Sequence, residues 1–554
     1  MKKIKYILIM LITMSFVSCD LTRDPYDQIS VDDLFEDPGA IESATVGNYA
    51  LLKGDLGYDG WIDQLHRISE YAGDNVSLSG TTSDALFYLY NYQSITTNAR
   101  VASFWRSNYK LTVGCNTIIE KLEEGASEET DQLLGENYYL RALAYFQMGN
   151  VFGRPYNQRG QFDLSVPLKL TSDTEDRPDR NTIEEVYAQV ISDLEKAESL
   201  MTINKGPSYA SKYAAEALLS RVYLYMEDND KAIEYANKVI DSGEYQLLSQ
   251  SEFAKMNTLR PDQNEEAIFA VTLVSSADLP GQDGDWWTIG SMYAVVDNVG
   301  WGEMYASSSY LDLLNKNPTD LRKTFIEPQY LYDDDGNKIP AVYWVDTNIY
   351  QYVFAQTTEN NGVITFEYNG ITYELQSEDV DGRTVYYFDG PDGRQDVTYD
   401  YDMDKRNGYP KFFVLKCSMQ ENDLHMWSPM VSRLAEIYLN KAEALAKKGM
   451  DKDAIDIVNM IRQRANIPEY DPNNLPAGRS ALDLVLEERR LELAYEGHRR
   501  YDVYRNGRTM DRRYPGTHLS GNDPFYEIPA THNRVVEYIP EEQIVLQPTL
   551  IQNP

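Results

Sequence analysis

The chain has 554 residues, enough for three or four domains of ordinary size or one large extended fold. Its 51 basic against 87 acidic side chains leave a net charge of −36, which repels phosphate backbones and argues against a nucleic-acid binder. At 42% hydrophobic and 25% charged residues the composition is globular, and beyond the extreme N-terminus no apolar run is long enough to span a bilayer as a helix.

Lys2, Lys3 and Lys5 precede and open an apolar stretch from Ile4 to Val17, a positive start and a hydrophobic run too short for a membrane span, which reads as a secretory signal. Phe16-Val17-Ser18-Cys19 is similar to a bacterial lipobox, with Phe16 where Leu usually stands. Residues 1–18 are then a lipoprotein signal peptide and Cys19 the lipid-attachment point; an ordinary cleavable signal with an incidental cysteine is the alternative. Cys115 and Cys417, far apart and in no C-x-x-C arrangement, indicate neither a disulfide framework nor a metal site and read as small buried residues.

Helices are expected over Ser103–Leu122 and through Tyr138–Phe146, where Tyr138, Ala142, Tyr145 and Phe146 share one face and Gly149 and Gly153 stop the run. Another is expected over Thr182–Met201. Ala214, Leu218, Val222 and Tyr225, a turn at Asp228-Asn229, then Ala232, Tyr235, Ala236, Val239 and Ile240 describe a helix-turn-helix of tetratricopeptide type. The plan returns with Leu434, Ile437, Tyr438, Ala442 and Leu445, a turn at Lys448-Gly449, and Ala454, Ile457, Val458 and Ile461, followed by a helix over Ala481–Tyr495. Between Glu265 and Ser428 the texture changes. Asp335-Gly336, Asn361-Gly362, Asn369-Gly370, Asp381-Gly382 and Asp392-Gly393 are hairpin-turn dipeptides separated by strand-like runs, so a β-rich insertion is expected over about 330–409. The last fifty residues, rich in Pro and Gly, show no clear helix and are expected to wrap the surface. The fold class is mainly α: a helix-pair scaffold with an inserted loop- and hairpin-rich region that would carry the ligand site.

Tyrosine and tryptophan, 43 and 7, outnumber 16 phenylalanines, so most rings carry a polar handle suited to wet contact surfaces. Trp286-Trp287, Trp301 and Tyr305 fall among Gly281, Gly284, Gly290, Gly300 and Gly302, a loop-like setting that marks them as candidate contact rings; the alternative is that they plug a gap in the scaffold. No catalytic constellation stands out. The five histidines make no H-x-x-x-H pair, there is no G-x-S-x-G and no phosphate-binding glycine loop, and no carboxylate pair can be nominated among 87. Asp333-Asp334-Asp335-Gly336 shares part of a calcium loop but lacks the closing Glu and reads as a turn. Glu496-Gly497-His498-Arg499-Arg500 reads as a helix end, Gly497 following the last turn and the basic side chains answering the terminal carbonyls. No cofactor, metal or enzymatic activity is expected.

Several segments resemble the SusD/RagB family of outer-membrane nutrient-binding lipoproteins. They are Arg141-Ala142-Leu143-Ala144-Tyr145-Phe146 with Phe152-Gly153-Arg154-Pro155, the unit from Ala214 to Tyr245, Arg433 to Ala444, Glu487 to Asp502, and the closing Ile539-Pro540 with Asn553-Pro554. The resemblance spans Cys19 to Pro554, as an N-terminal helical region over 19–250 and a C-terminal region over 251–554; the hairpin stretch Tyr330–Tyr409 looks longer than the family's usual middle segment. It implies four tetratricopeptide-like pairs, a lipid-anchored position on the outer membrane facing outward, and capture of an oligosaccharide for a SusC-like TonB-dependent transporter. It also implies that Asn98, Arg100 and Trp105 join Trp286, Trp287, Trp301 and Tyr305 as ligand contacts, although Trp105 and Tyr109 are equally spaced as one helix face. Peptide capture, a lipid-anchored glycosidase and a pure assembly scaffold are the competing readings.

Overall fold

The computed structural model describes residues 38–55, 58–59, 61–81, 84–275, 278, 288–380, 383–519 and 526–554. In chain order the main helices are α1 (Pro38–Lys53), α2 (Trp61–Glu70), α3 (Ala99–Lys121), α4 (Glu128–Phe152), α5 (Ile183–Leu200), α6 (Lys212–Tyr225), α7 (Asn229–Asp241), α8 (Leu434–Lys447), α9 (Asp451–Arg464), α10 (Ala481–Glu492) and α11 (Arg499–Arg505). From α3 to α10 each packs against the next, α7 against α8 included, although the whole stretch 242–433 lies between those two. The repeats read at Ala214–Ile240 and Leu434–Ile461 therefore form one continuous stack, from which the middle of the chain is a single excursion. Ala214, Ala232, Ala236, Ala442 and Ala454 are fully buried along it, small enough to let neighbouring axes approach closely.

Local chemistry sets the helix ends. Thr182 and Ser480 open α5 and α10 with capping boxes closed by Glu185 and Asp483. α4 runs through Gly149 and stops at Gly153, where a Cβ would lie 2.7 Å from the Gly149 carbonyl oxygen and 3.0 Å from Ser165 Oγ.

Within the excursion, β2 (Met304–Ala306) pairs antiparallel with β1 (Val76–Leu78), which comes from the N-terminal part of the chain, and a larger sheet follows. Its strands are β3 (Pro340–Asp346), β4 (Gln351–Asn360), β5 (Val363–Tyr368), β6 (Ile371–Glu374), β7 (Gln376–Val380), β8 (Arg383–Gly390) and β9 (Gly393–Tyr401), hydrogen-bonded in the order β6-β5-β4-β3-β9-β8-β7. Because β6 runs into β7 across Leu375 alone, the two ends of the sheet are one strand. The circuit of strands thus closes into a six-stranded meander barrel, β6 pairing with β5 and β7 with β8. Val342, Trp344, Ala355, Phe366 and Phe388 fill its interior, and positive φ at Asn361, Gly362, Asn369 and Gly370 confirms the expected tight turns. Asp381-Gly382 lies outside the described residues. Outward-facing Tyr343 and Tyr352 pack on Phe412, which joins the barrel to the main core.

Two expectations are corrected. Many tyrosines are core residues rather than surface contacts: Tyr71, Tyr90, Tyr139, Tyr145 and Tyr293 are fully buried. Two of them set the hydroxyl on an acceptor, Tyr90 on the Gly516 carbonyl (2.6 Å) and Tyr145 on that of Lys169 (2.6 Å). The C-terminal segment is also part of the core. Ile539 and Asn553 are buried, and the Asn553 side chain accepts from Arg180 (2.8 Å) while donating to the carbonyls of Phe152 (2.9 Å) and Glu537 (2.6 Å).

Candidate functional site

Trp301 is presented by a loop that only glycine could build. Gly300 and Gly302 flank it at φ +116° and +55°; a Cβ on Gly300 would fall 2.3 Å from the Ala294 carbonyl oxygen, and one on Gly302 2.7 Å from Val295. The N–H groups of Trp301 and Gly302 both donate to the Ser291 carbonyl at 2.8 Å, which fixes the loop. The indole remains 44% exposed, and such exposure of a tryptophan held on so rigid a loop is unusual.

Beside it lies a short hairpin, Lys405–Arg406 paired with Tyr409–Pro410 through a turn at Asn407-Gly408. Arg406 donates to the Trp301 carbonyl (2.8 Å) and to Glu303 (3.0 Å), and its guanidinium lies 5.9 Å from the centre of the indole. Tyr409, opposite Arg406 in the hairpin, lies 5.6 Å from His518, which lies 6.2 Å from Phe87. Asn407 ties the hairpin to the carbonyl of Ser79 at 3.0 Å. Trp301, Arg406, Tyr409, His518 and Phe87 thus form a half-exposed band of rings and polar groups drawn from four chain segments. Burial holds His518 below its ordinary pKa, and its Nε2 lies 2.8 Å from the Leu78 carbonyl, so the ring is a neutral donor there. A planar, electron-rich ring beside fixed donors and acceptors suits a ligand with flat apolar faces edged by hydroxyls.

The other residues expected at the site stand elsewhere. Tyr305 is 1% exposed: it lies in β2, four positions after Trp301, and its hydroxyl donates to the Gly302 carbonyl (2.9 Å), so it props the loop from beneath instead of facing solvent. Asn98 is the N-cap of α3, its side chain accepting from the N–H groups of Arg100 and Val101. Trp105 is buried on the face that it shares with Tyr109 and packs edge-on against Phe152 at 5.0 Å. Arg100 pairs with Asp84 (3.4 Å), the N-cap of the short helix Ala85–Tyr90 that carries Phe87. Trp286, Trp287 and Cys19 lie outside the described residues. Sequence reasoning missed Arg406, Tyr409, His518 and Phe87; the Asn407-Gly408 turn marked a hairpin but not what it would face.

The charged run from Glu487 to Asp502 has a structural task. Glu492 takes Arg433 (2.7 Å) and Arg464 (2.5 Å), Glu496 takes Arg433 (2.8 Å) and Lys416 (2.6 Å), and Glu488 takes Arg322 (2.6 Å) and Arg462 (3.1 Å), all of them buried. Burial by itself would raise the Glu496 pKa, but Arg433 and Lys416 outweigh it and hold the carboxyl at about 2. The helix end differs from expectation. α10 stops at Glu492, Tyr495 and Gly497 both have positive φ, and their N–H groups donate to Glu70 (3.1 and 3.0 Å), while the basic side chains meet carboxylates rather than terminal carbonyls. Arg499 and Arg500 pair with Asp74 (2.6 Å) and Glu537 (2.9 Å).

An interior cavity of about 50 Å³ lies between α2, α4, α6 and α11, lined by Trp61, His66, Arg221, Trp427, His498 and Tyr501 among others. It has room for a few waters rather than a sugar. Burial pushes His66 down to about 3 and His498 to about 4. A histidine with a lowered folded-state pKa contributes stability that is present above its unfolded value of 6.5 and lost as pH falls from there toward 3, while Glu70, raised by burial to about 7, works in the opposite sense over pH 7 to 4.5. The His66→Phe protein should therefore lose less stability than wild type between pH 7 and pH 5, by about 2 kcal/mol in urea titrations. Identical slopes would show that His66 does not titrate differently on folding.

The family model described as "SusD family" matches residues 265–554, and one described as "Starch-binding associating with outer membrane" matches residues 54–224. The chain belongs to the SusD family. A SusD-like protein of Formosa agariphila is 25% identical over 413 residues, covering 74% of this chain and 72% of that one. The starch-binding protein SusD of Bacteroides thetaiotaomicron is 24% identical, covering 72% and 68%. Among solved structures, a SusD superfamily protein of B. thetaiotaomicron superposes with a TM-score of 0.71 at 25% identity, over 95% of this chain and 100% of its own. The mainly helical, tetratricopeptide-like fold read from the sequence is the fold of this family, whose members include carbohydrate-binding proteins and are associated with the outer membrane.

Proposed function

We propose that this protein captures an oligosaccharide without breaking any bond, using the Trp301 band as its sugar-facing surface. The observation that carries the reading is an exposed indole on a loop fixed by Gly300, Gly302 and the Ser291 carbonyl, flanked by Arg406 and Glu303. A rigid platform loses little entropy when a sugar ring stacks on it. Membership of a family that includes a starch-binding protein supports the same ligand class. Calorimetry with a panel of candidate oligosaccharides tests it: Trp301→Ala should weaken binding by about 2 kcal/mol or more, thirtyfold or greater. Unchanged affinity in a folded Trp301→Ala protein would move the site elsewhere.

The same reading places the chain at the cell surface, lipidated at Cys19, delivering its ligand to a SusC-like TonB-dependent transporter. No helix among the described residues is long and apolar enough to cross a membrane, so attachment would rest on the lipid, and passage of the sugar on a partner. Labelled fatty acid should enter wild type and not Cys19→Ala, and a tagged chain extracted in mild detergent should bring a TonB-dependent barrel with it. Equal labelling of both proteins would refute the anchor, and repeated recovery of the chain alone from induced cells would refute the partner.

A further inference from the structure

We propose that Glu303 is a specificity-determining residue of the Trp301 platform: by holding the Arg406 guanidinium it confines the site to uncharged sugars and turns away sulfated or uronate-rich ones. The inference rests on the sugar-binding reading and adds the ligand's charge class to it.

Anionic sugars are bound through guanidinium and ammonium groups that have donors to spare, because a carboxylate or sulfate removed from water needs charge-assisted hydrogen bonds to replace its hydration. The solvent-reachable basic side chains around the band have carboxylate partners already, and Arg512, beside His518, has none among the described residues but is fully buried against the Tyr90 carbonyl. Arg406 spends Nη2 on Glu303 (3.0 Å) and Nη1 on the Trp301 carbonyl (2.8 Å). Lys405 is held by Asp402 at 2.7 Å, Lys411 by Asp404 at 2.5 Å and Arg100 by Asp84 at 3.4 Å. His518 is kept neutral by burial, and Asp297 projects into solvent from the loop that carries Trp301. The whole chain carries −36, so an approaching polyanion meets a repulsive field before it meets the platform. Hydroxyl groups suffer none of these penalties: the paired carboxylate and guanidinium offer an acceptor and a donor side by side, and the indole offers its face.

Glu303 is also placed to be altered without rebuilding the loop. Its backbone is tied at both ends, N–H to the Met292 carbonyl (3.0 Å) and carbonyl to the Ser79 N–H (2.9 Å), while its side chain is partly exposed. Glu303→Gln keeps the shape and removes the charge, leaving Arg406 positive beside the indole.

The experiment titrates neutral hexasaccharides (malto-, laminari-, cello-, xylo- and manno-series) and anionic ones (oligogalacturonate, alginate, carrageenan) into the full mature chain at 50 and 500 mM NaCl. Wild type should bind within the neutral set with affinities that change less than twofold with salt, and no anionic member. Glu303→Gln should gain tenfold or more for an anionic hexasaccharide at 50 mM NaCl and lose that gain at 500 mM; the double variant Glu303→Gln/Arg406→Gln should not show it. If wild type binds an anionic hexasaccharide and the affinity falls with salt, the charge inference is overturned, while dependence of that binding on Trp301 would leave the platform reading intact. If Glu303→Gln folds and gains nothing, Glu303 is not the determinant. Should the variant fail to fold, the wild-type preference and its salt dependence decide the charge class unaided. Binding to no member of either set overturns both readings together.

Discussion

Replacing Arg433 with methionine should lower the stability of the folded chain by about 3–5 kcal/mol. Arg433 is 1% exposed and stands at the centre of the buried charge cluster, with Nη1 on Glu266 (3.0 Å) and Glu492 (2.7 Å), Nε on Glu496 (2.8 Å) and Nη2 on the Glu492 carbonyl (2.9 Å). Burial works against ionisation of Glu492, and Arg464, Arg433, Arg322 and Lys416 together hold it well below the usual carboxylate range. With Arg433 gone, three carboxylates buried in the same place lose a shared counter-charge, and their desolvation is no longer offset. Urea titration of wild type, Arg433→Met and Lys452→Ala makes the comparison internal. Lys452 and Asp456 form a solvent-exposed pair at 2.6 Å, whose loss should cost no more than about 0.5 kcal/mol. A similarly small cost for Arg433→Met would mean that water or rearrangement relieves the cluster. The network ties together α8, α9 and α10 with the turn at Glu266 and the loop at Lys416, so it joins the helical stack to its excursion.

Truncating Trp344 to alanine should cost about 3–5 kcal/mol, and the loss should be felt first in the barrel. The indole lies inside the closed sheet, 5.0 Å from Tyr368, 5.4 Å from Phe388 and 6.4 Å from Phe366. No neighbouring segment is free to fill the space, because the ring of strands is closed and its interior is separate from the core of the helical stack. Hydrogen exchange should show β3–β9 amides losing protection while those of α4–α6 keep theirs. Equal loss in both regions would mean that barrel and stack unfold as one cooperative unit.

Within the candidate site, sequence and structure divide at a definite point. The glycines around Trp301 mark a tight loop, and a tight loop is what carries the indole to the surface. Tyr305, four positions on, looks equivalent in sequence and is buried, because β2 pairs with β1 and turns that side chain inward. Trp105 was legible either as a ligand contact or as one face of a helix with Tyr109, and packing of Phe152 against it decides for the helix. Arg406 and Glu303 are 103 positions apart, and Tyr409 and His518 come from opposite sides of the repeat at Leu434–Ile461, so no local pattern announces their meeting.

What the sequence determined by itself is whatever depends on neighbours a few positions away. Helix periodicity, capping residues, Asn-Gly turns and the alanine-lined repeats are set by backbone sterics and short-range hydrogen bonds, and they specify a helical stack with a hairpin-rich insertion. The tertiary structure decided the rest. Closure of the barrel needs β9 to find β3 across the whole meander, continuity of the stack needs α7 to find α8 across the excursion, and the fate of each tyrosine and tryptophan follows from which surfaces those encounters cover. Rings of the same chemistry gain from burial and from exposure to a ligand alike, and only the long-range pairing of segments selects between the two.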